Sequence, residues 1–205
     1  MLSLVLENLS KVYNRRKVFE GVNLAVEEGQ SLAITGHNGS GKTTLLRIIC
    51  GFVRPTTGGV KFIEDGRTLG PDERRRQLGL VAPDLALYDE LTALENLQFF
   101  ARVRGLRVPE RELVELIEST GLAGRSGDLV ASFSSGMKQR LKYAFALLHK
   151  PKILLLDEPT SNLDEAGIAL VDQIVSRQKR NGILILATNE AREVQYGDQV
   201  LRMGV

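Results

Sequence analysis

One glycine-rich segment, Gly36–Thr43, constrains the fold of this chain more than any other feature. It reads Gly-His-Asn-Gly-Ser-Gly-Lys-Thr, follows a β-rich run at Ser31–Thr35 and opens the helical pattern of Lys42–Cys50. In such a strand, loop and helix, glycines let backbone amides close around an anion, and the helix amino terminus adds roughly half a positive charge. The spacing therefore predicts an α/β fold with a phosphate-binding loop.

The side chains of this loop have expected roles. Lys42 supplies a positive charge to the outer phosphates of a nucleotide, and the Thr43 hydroxyl is placed to ligate Mg²⁺. His37 and Asn38 are expected to shape the loop rather than to catalyse. A chance glycine turn is the alternative, and the complete match in this context argues against it. The residues predicted to contact the nucleotide here are Gly36, His37, Asn38, Gly39, Ser40, Gly41, Lys42, Thr43 and Thr44.

A pair of carboxylates ends a second apolar run. Ile153–Leu156 is continuously apolar, as expected of a buried parallel strand, and Asp157 and Glu158 follow it directly. An acid at the carboxyl end of such a strand can hold Mg²⁺ or its water ligands opposite Thr43. Glu158 is predicted to activate or orient the attacking water; the alternative is a surface glutamate at a strand end.

A third motif lies between these two. Phe133–Arg140 reads Phe-Ser-Ser-Gly-Met-Lys-Gln-Arg, in which small residues open a helix and create another anion-binding amino terminus. Ser134, Ser135 and Gly136 are the predicted anion ligands. Ser-Ser-Gly is also an ordinary helix cap, so the motif gains its meaning from its position shortly before the Asp157 strand.

The rest of the chain alternates between β-rich and helical patterns. Leu91, Leu94, Leu97 and Phe100 fall three residues apart, which predicts a helix in the middle of the chain. Further helices are expected at about Gly136–Lys150 and Glu165–Lys179. The predicted strands besides those above are Leu2–Glu7, Val18–Val26, Val60–Glu64, Leu78–Ala82 and Ile183–Ala187.

With its three motifs in this order, the chain resembles the ATPases of the ABC family over nearly its whole length. The resemblance implies a P-loop NTPase (RecA-like) core with an antiparallel β-subdomain and a helical insertion, in one α/β domain over residues 1–205. The core is expected at about 1–83 and 151–205, and the helical subdomain at about 84–150. The resemblance also implies ATP and Mg²⁺ as cofactors.

The family resemblance implies partners as well. Two such domains pack head to tail, so that each ATP lies between the phosphate loop of one and Ser134–Gly136 of the other. The second domain would be a copy of this chain or a related chain. The family docks a transmembrane permease subunit near the segment Leu85–Phe100. The expected function is therefore the nucleotide-binding subunit of an ABC transporter, in which ATP binding closes the pair and hydrolysis reopens it.

Two further positions follow the family pattern. Tyr13 matches the aromatic residue that stacks on adenine, and the alternative is a buried or turn tyrosine. Asp164, in Ser161-Asn162-Leu163-Asp164, matches the loop that touches the partner subunit, and the alternative is a cap for the following helix.

Two positions depart from that pattern. Pro83 stands where the family has a glutamine that links the γ-phosphate site to the membrane subunit, with Asp84 as the possible substitute. Asn189 stands where the family has its switch histidine; it can still bind phosphate or water and is kept in the catalytic set with Glu158 and Lys42. Asparagine cannot shuttle a proton, so we expect slow ATP hydrolysis.

Composition bears on partners and compartment. The formal net charge of +2 gives no reason to expect a nucleic acid partner, and the arginine clusters of Arg74–Arg76 and Arg102–Arg111 are expected to be solvated helix faces, with a docking surface as the alternative. One cysteine, no signal-peptide pattern and no apolar run near 20 residues favour a cytoplasmic protein. The expected location is peripheral, on the inner face of the cell membrane through a membrane partner.

Other functions remain possible from the sequence. A non-transport ABC ATPase acting on DNA or the ribosome shares this core, although it usually carries a long coiled coil or two ATPase domains. A P-loop kinase or GTPase would not explain Ser134–Arg140, and the guanine-reading Asn-Lys-x-Asp is absent from the sequence. Leu91–Leu97 is similar to the haem-exporter subunit of cytochrome c maturation, a resemblance shared with other bacterial exporters.

Overall fold

The computed structural model describes residues 1–204, which form two β-sheets and a set of helices. The strands are β1 (Leu2–Tyr13), β2 (Arg16–Glu27), β3 (Ser31–Thr35), β4 (Thr57–Glu64), β5 (Arg67–Thr68), β6 (Leu78–Val81), β7 (Ile153–Asp157), β8 (Ile183–Thr188) and β9 (Gln199–Arg202). The helices are α1 (Lys42–Ile49), α2 (Pro71–Gln77), α3 (Ala93–Val103), α4 (Glu110–Ser119), α5 (Ser135–Leu147), α6 (Glu165–Asn181) and α7 (Ala191–Val194), with a short 3-10 helix at Val130–Ser132.

The first sheet is antiparallel, in the order β2-β1-β4-β5. Its long hairpin turns at Asn14 and Arg15, which both have positive φ. The strands run further than the predicted Leu2–Glu7 and Val18–Val26, because pairing continues to Tyr13 through several register shifts that the alternation of apolar residues does not reveal.

The second sheet is parallel and contains the strands that lead to the glycine loop and to Asp157. Its order is β6-β7-β8-β3-β9, so β8 lies between the strand that precedes the glycine loop and the strand that ends in Asp157. Every residue of β7 and β8 is buried, which explains their unbroken apolar sequence. A parallel sheet with an antiparallel subdomain confirms the predicted α/β fold class.

The middle helices have a core of their own. Buried side chains of α3, α4 and α5 pack together, among them Leu97, Ile117 and Leu141. The opposite side of α5 packs on the parallel sheet through Tyr143 and Ala146. On this evidence we propose the predicted division, with the helical subdomain at about 84–150 and the core on either side of it. Within residues 1–204, no helix combines the length and the apolar character needed to cross a membrane.

Candidate nucleotide-binding site

The backbone of the glycine loop has a shape that side chains would disturb. Gly36 and Gly41 have φ angles of 154° and 102°, and a Cβ atom at Gly36 would lie 2.4 Å from the carbonyl oxygen of Met203. At Gly41 it would lie 2.4 Å from Val18 of β2. These two glycines are therefore required for the close approach of the loop to its neighbours. The loop lies between β3 and α1, as predicted.

Several polar groups of the loop lack partners. Gly41 occupies the cap position of α1, and no side chain within residues 1–204 caps this helix. The Ser40 hydroxyl is buried and has no hydrogen-bond partner in the described part of the chain. His37, Asn38 and Gly39 are exposed, and Thr44 is half-buried. A loop with free helix amides and an unpaired buried hydroxyl is suited to an anion with several oxygen atoms.

Lys42 is a buried cation with neutral neighbours. The residue is 7% exposed, and its Nζ donates hydrogen bonds to the carbonyl oxygens of Gly36 at 2.8 Å and His37 at 3.3 Å. Nζ also donates to Asn189 Oδ1 at 2.6 Å. Among residues 1–204, no carboxylate lies within ion-pair distance of Lys42. A buried ammonium without a counter-ion is well placed to attract a phosphate.

Thr43 and Asp157 bring the two predicted halves of the site together. The Thr43 hydroxyl donates to Asp157 Oδ2 at 2.8 Å, although the strands that lead to the two residues are not neighbours. Asp157 is buried, and this burial is the main reason that its pKa is raised above the ordinary value; the Thr43 hydrogen bond lowers it and the nearby Glu158 raises it. A small cavity of about 40 Å³ adjoins both residues.

This oxygen pair is suited to Mg²⁺. The ion prefers a hydroxyl or carboxylate oxygen and keeps several waters, and it would relieve the electrostatic cost of the buried Asp157 carboxylate. The donor set and the adjoining cavity therefore fit the predicted metal.

Glu158 differs from Asp157 in both exposure and backbone. Its side chain is exposed and lines a cleft of about 340 Å³, together with Ser135 and Asn162. Its φ of 50° is in the left-handed region, which costs a residue with a Cβ atom about 1–2 kcal/mol. Its backbone N–H donates to the carbonyl oxygen of Ala187 at 2.9 Å, which fixes the loop against β8. Such strain typically accumulates at functional sites.

The third motif forms a second helix start. Ser134 caps α5, and its hydroxyl accepts a hydrogen bond from the backbone N–H of Met137 at 3.2 Å. Ser134 and Ser135 are exposed, and Gly136 lies so close to Asn162 that a Cβ atom would be 3.0 Å from its carbonyl oxygen. No hydrogen bond in the described residues joins this motif to the glycine loop. The chain thus has two separate helix starts of the kind that can bind anions.

Tyr13 lies at the end of β1, beside the hairpin turn, and is 46% exposed. Lys11 Nζ lies 4.4 Å from the centroid of its ring and donates to the carbonyl oxygen of Arg54 at 2.7 Å. The exposure excludes the buried tyrosine considered from the sequence and leaves the turn position and adenine stacking as compatible roles. Adenine stacking stays a prediction.

The two departures from the family pattern make specific contacts. The Pro83 carbonyl oxygen accepts a hydrogen bond from Lys142 Nζ at 2.7 Å, and Asp84 forms a 2.6 Å ion pair with Arg47 of α1. Asn189 bridges the glycine loop, because its Oδ1 accepts from Lys42 while its Nδ2 donates to Asn38 Oδ1. Pro83, Asp84 and Asn189 therefore each contact either the phosphate-loop helix or the helix of the third motif.

Asp164 caps a helix, which was the alternative considered from the sequence. Its Oδ1 accepts from the backbone N–H of Gly167 at 2.9 Å, at the start of α6, and from Arg140 of α5. The hydrogen bond from the Gly167 N–H, and after it the one from the Arg140 guanidinium, hold the pKa of this carboxyl below its usual range. Contact with a partner subunit stays a prediction.

Comparison with known proteins agrees with this arrangement of motifs. The family model described as ABC transporter matches residues 19–161, which contain the glycine loop, Ser134–Gly136, Asp157 and Glu158. The chain belongs to the ABC transporter family. A dimeric ATP-binding cassette, solved in a post-hydrolysis state with ADP and Pi, superposes on this member with a TM-score of 0.85; the two chains are 26% identical, and the match covers 98% of this chain and 94% of the other.

Two relatives of similar sequence come from bacilli. The linearmycin resistance ATP-binding protein of Bacillus subtilis is 32% identical over 91% of this chain and 61% of its own length. The bacitracin transport ATP-binding protein of Bacillus licheniformis is 34% identical over 92% of this chain and 62% of its own length. The chain therefore spans about three fifths of the length of these two relatives.

Several residues around the site of this ABC family member had not been identified from the sequence. Glu193, Thr160 and Thr188 connect the loop after β7 with the loop after β8, and Arg47 binds Asp84. A glutamate in a short polar helix resembles a surface residue, so its pattern carries no signal of burial. Only the position of Thr188 at the end of a buried strand hinted at a role.

Proposed function

We propose that this chain is the nucleotide-binding subunit of an ABC transporter, which binds and hydrolyses ATP at a dimer interface to drive a separate membrane subunit. One observation carries this proposal. The 2.8 Å hydrogen bond between Thr43 and Asp157 joins the phosphate loop to an acidic strand end, with Glu158 as the next residue. Phosphate binding, a place for Mg²⁺ and a possible base therefore lie in one site.

The residues of the chain divide the chemistry among them. Lys42 and the α1 amino terminus bind the β- and γ-phosphates and stabilise the negative charge that develops on them. Glu158 accepts a proton from the water whose oxygen forms the new bond to the γ-phosphorus, while the bond from that phosphorus to the ADP oxygen breaks. Thr43 and Asp157 would hold Mg²⁺, which supplies Lewis-acid stabilisation of the phosphate oxygens when bound.

The proposed site needs a second domain. Ser134–Gly136 presents an exposed helix start that does not contact the phosphate loop of the same chain. A nucleotide held between the two motifs of different copies would use both. The dimeric arrangement of the ADP-bound relative supports this proposal. Mass measurement of the assembled complex will distinguish a dimer of identical chains from a pair of related chains.

The membrane partner is proposed on the family resemblance and on the names of the relatives. We place its docking surface near Leu85–Phe100, where Tyr88 and Phe99 are partly exposed and their rings stack edge to face at 5.0 Å. Two relatives are named for linearmycin resistance and bacitracin transport. Antimicrobial compounds are therefore the first class of transported substrate to test. The similarity to a haem-exporter subunit stays a prediction.

Co-purification from native membranes tests this part of the proposal. A polytopic membrane protein bound to the tagged chain would support transport, and the complex should locate to the inner face of the membrane. Nucleic acid or ribosomes in place of a membrane protein would support the non-transport alternative.

The test of hydrolysis is the substitution Glu158→Gln. We expect it to lower the ATPase rate by about 10²–10⁴-fold, because an amide cannot accept the proton, while ATP binding persists. Exchange of the exposed Glu118 on α4 for Gln serves as the control and should leave the rate unchanged. ATP turnover at saturating MgATP and equilibrium ATP binding are the measurements. Equal rates for wild type and Glu158→Gln would contradict the proposed base.

We further propose slow turnover, because Asn189 cannot exchange a proton and Pro83 offers no side-chain hydrogen bond. Asn189→His should raise the ATPase rate by up to about 10²-fold if a proton-exchanging group is what the site lacks. Asn189→Ala is the control, because it removes the hydrogen bond with Lys42 without adding a group that exchanges protons. A histidine variant no faster than wild type would indicate that asparagine does not limit the rate.

A further inference from the structure

Glu193 is an unusual buried acid. It lies in the short helix α7 and is 2% exposed, yet no lysine, arginine or histidine among residues 1–204 forms an ion pair with it. Burial of a carboxylate is costly unless hydrogen bonds replace its water. The contacts that compensate this burial therefore indicate what Glu193 does.

Its two oxygen atoms bind two different loops. Oε1 accepts hydrogen bonds from the Thr160 backbone N–H at 2.9 Å and from the Thr160 hydroxyl, and Oε2 accepts one from the Thr188 hydroxyl. The Thr188 hydroxyl also accepts from the backbone N–H of Glu190 at 2.8 Å, which fixes its orientation. A single carboxylate thus bridges the loop after β7 and the loop after β8.

These two loops carry the residues that face the γ-phosphate in the proposed site. Thr160 follows Glu158 by two positions, and Thr188 directly precedes Asn189. Neither Glu158 nor Asn189 is held by burial, because both are exposed. Glu158 depends on the backbone of its loop, and Asn189 depends on its backbone and on its hydrogen bonds to Lys42 and Asn38. Among the described residues, Glu193 is the only side chain that accepts hydrogen bonds from both the loop after β7 and the end of β8.

A neighbouring hydrogen bond ties the loop after β7 to the helix of the third motif. The Tyr143 hydroxyl of α5 donates to the carbonyl oxygen of Pro159 at 2.8 Å, one residue before Thr160. Tyr143 is fully buried, and its pKa is raised well above the ordinary value, first by burial and then by the negative charge of Glu193. The phenol therefore stays protonated and keeps donating to Pro159.

We propose that Glu193 is a positioning residue for ATP hydrolysis, which holds the Glu158 loop and the Asn189 loop in register through Thr160 and Thr188. This inference rests on the proposed ATPase function. Because Glu193 does not line the phosphate loop, it acts on the geometry of the base and the γ-phosphate contact rather than on ATP affinity. A separate hydrogen bond from Tyr143 to Pro159 ties the Glu158 loop to the helix that begins at Ser135.

The first test compares Glu193→Ala with Glu193→Gln in the full chain. Alanine removes all acceptors, so kcat should fall at least about tenfold while KM for ATP stays within about threefold. Glutamine keeps an acceptor for Thr160 and can donate to the Thr188 hydroxyl, so its kcat should stay within about threefold of wild type. Glu118→Ala on α4, an exposed glutamate, is the matched control and should match wild type.

Thr188→Val removes the hydroxyl that binds Glu193 and the Glu190 N–H, with little change in side-chain size, and keeps the inference testable if Glu193→Ala does not fold. It should lower kcat by about threefold or more, and the loss in the double variant should be smaller than the product of the two single losses, because both changes remove the hydrogen bond between Thr188 and Glu193. A purely structural role would lower the melting temperature of Glu193→Ala and leave kcat per folded molecule within about twofold of wild type, which would overturn the proposal.

Amide hydrogen exchange separates this inference from the proposed function. Glu193→Ala should speed exchange by at least about tenfold in peptides covering 158–163 and 188–195, and leave those covering 36–46 unchanged. Absence of ATPase activity in the wild type would overturn the proposed function, while the exchange result would still test the bridge. Unchanged exchange in both loops would overturn the bridge even in an active ATPase.

Discussion

The phosphate loop and the Ser134–Gly136 motif are both helix starts with small residues, yet their surroundings differ. The phosphate loop is pressed between β2 and Met203, and its lysine is 7% exposed with three hydrogen-bond acceptors in place. Ser134 and Ser135 are exposed; Ser134 caps the helix, and Gly136 lies against Asn162. The phosphate loop is a formed site, because contacts within the chain fix its shape before a ligand binds. Ser134–Gly136 is a presented site, because it is exposed and needs another surface to enclose a ligand.

In the proposed function, this difference would allow one chain to bind nucleotide while hydrolysis requires a second domain. The formed site fixes the lysine before ligand binding and so reduces the ordering cost of binding. The presented site contributes only when another surface supplies the rest. Affinity for ATP and stability of the dimer are therefore expected to respond to different substitutions.

The largest effect is expected at the formed site. Lys42→Ala removes the buried charge, and we expect ATP affinity to fall on the order of 100-fold, since charge-assisted hydrogen bonds contribute about 1.5–3 kcal/mol each. Lys61→Ala, which removes an exposed lysine paired with Glu7, is the control. Titration calorimetry measures both. Unchanged affinity in Lys42→Ala would mean that the phosphates bind elsewhere.

A substitution at the presented site should have a different signature. Ser135→Asp places a negative charge at the start of α5, so we expect ATPase activity to fall by more than about tenfold through like-charge repulsion of phosphate. Affinity of the single domain for ATP should not change. Ser135→Ala, which adds no charge, should lose less activity. Light scattering with and without ATP reports the dimer, and equal loss of ATP affinity in the monomer would refute the division between the two sites.

The smallest effect is expected at the ion pair that joins the phosphate-loop helix to the loop after β6. Asp84→Asn removes the 2.6 Å contact with Arg47, but both side chains are largely exposed. We expect the free energy of unfolding to fall by less than about 1 kcal/mol. Urea denaturation of Asp84→Asn, Arg47→Met and the double variant measures the coupling. A larger value would assign this surface pair a structural role.

The sequence predicted the parts of the site that follow local rules. The glycine loop, the buried strand before Asp157 and the helix cap at Ser134 each depend on a few consecutive residues, and the structure has all three. The order of these three motifs along the chain was sufficient to predict the family. The meeting of Thr43 with Asp157 followed from the expectation that parallel strands end at the same edge.

Contacts between distant segments could not be predicted in this way. Glu193 and Thr160 are separated by 33 positions, and nothing in the polar sequence of α7 indicates that its glutamate is buried. The bond between Lys42 and Asn189, 147 positions apart, also depends on how β8 lies beside β3. The helix α2 contains Arg74–Arg76, which had been expected to form a helix face, but its bounds were not predicted although Pro71 is typical of a first helical turn.

The neutral surroundings of Lys42 have a practical consequence for binding measurements. Since no carboxylate of the described residues neutralises the lysine, the loop is expected to bind small oxyanions as well as nucleotide phosphates. Sulfate or inorganic phosphate in a buffer would then compete for the same amides, and the apparent affinity for ATP would fall as their concentration rises. A dissociation constant for this protein has a defined meaning only when the anion content of the solution is given with it.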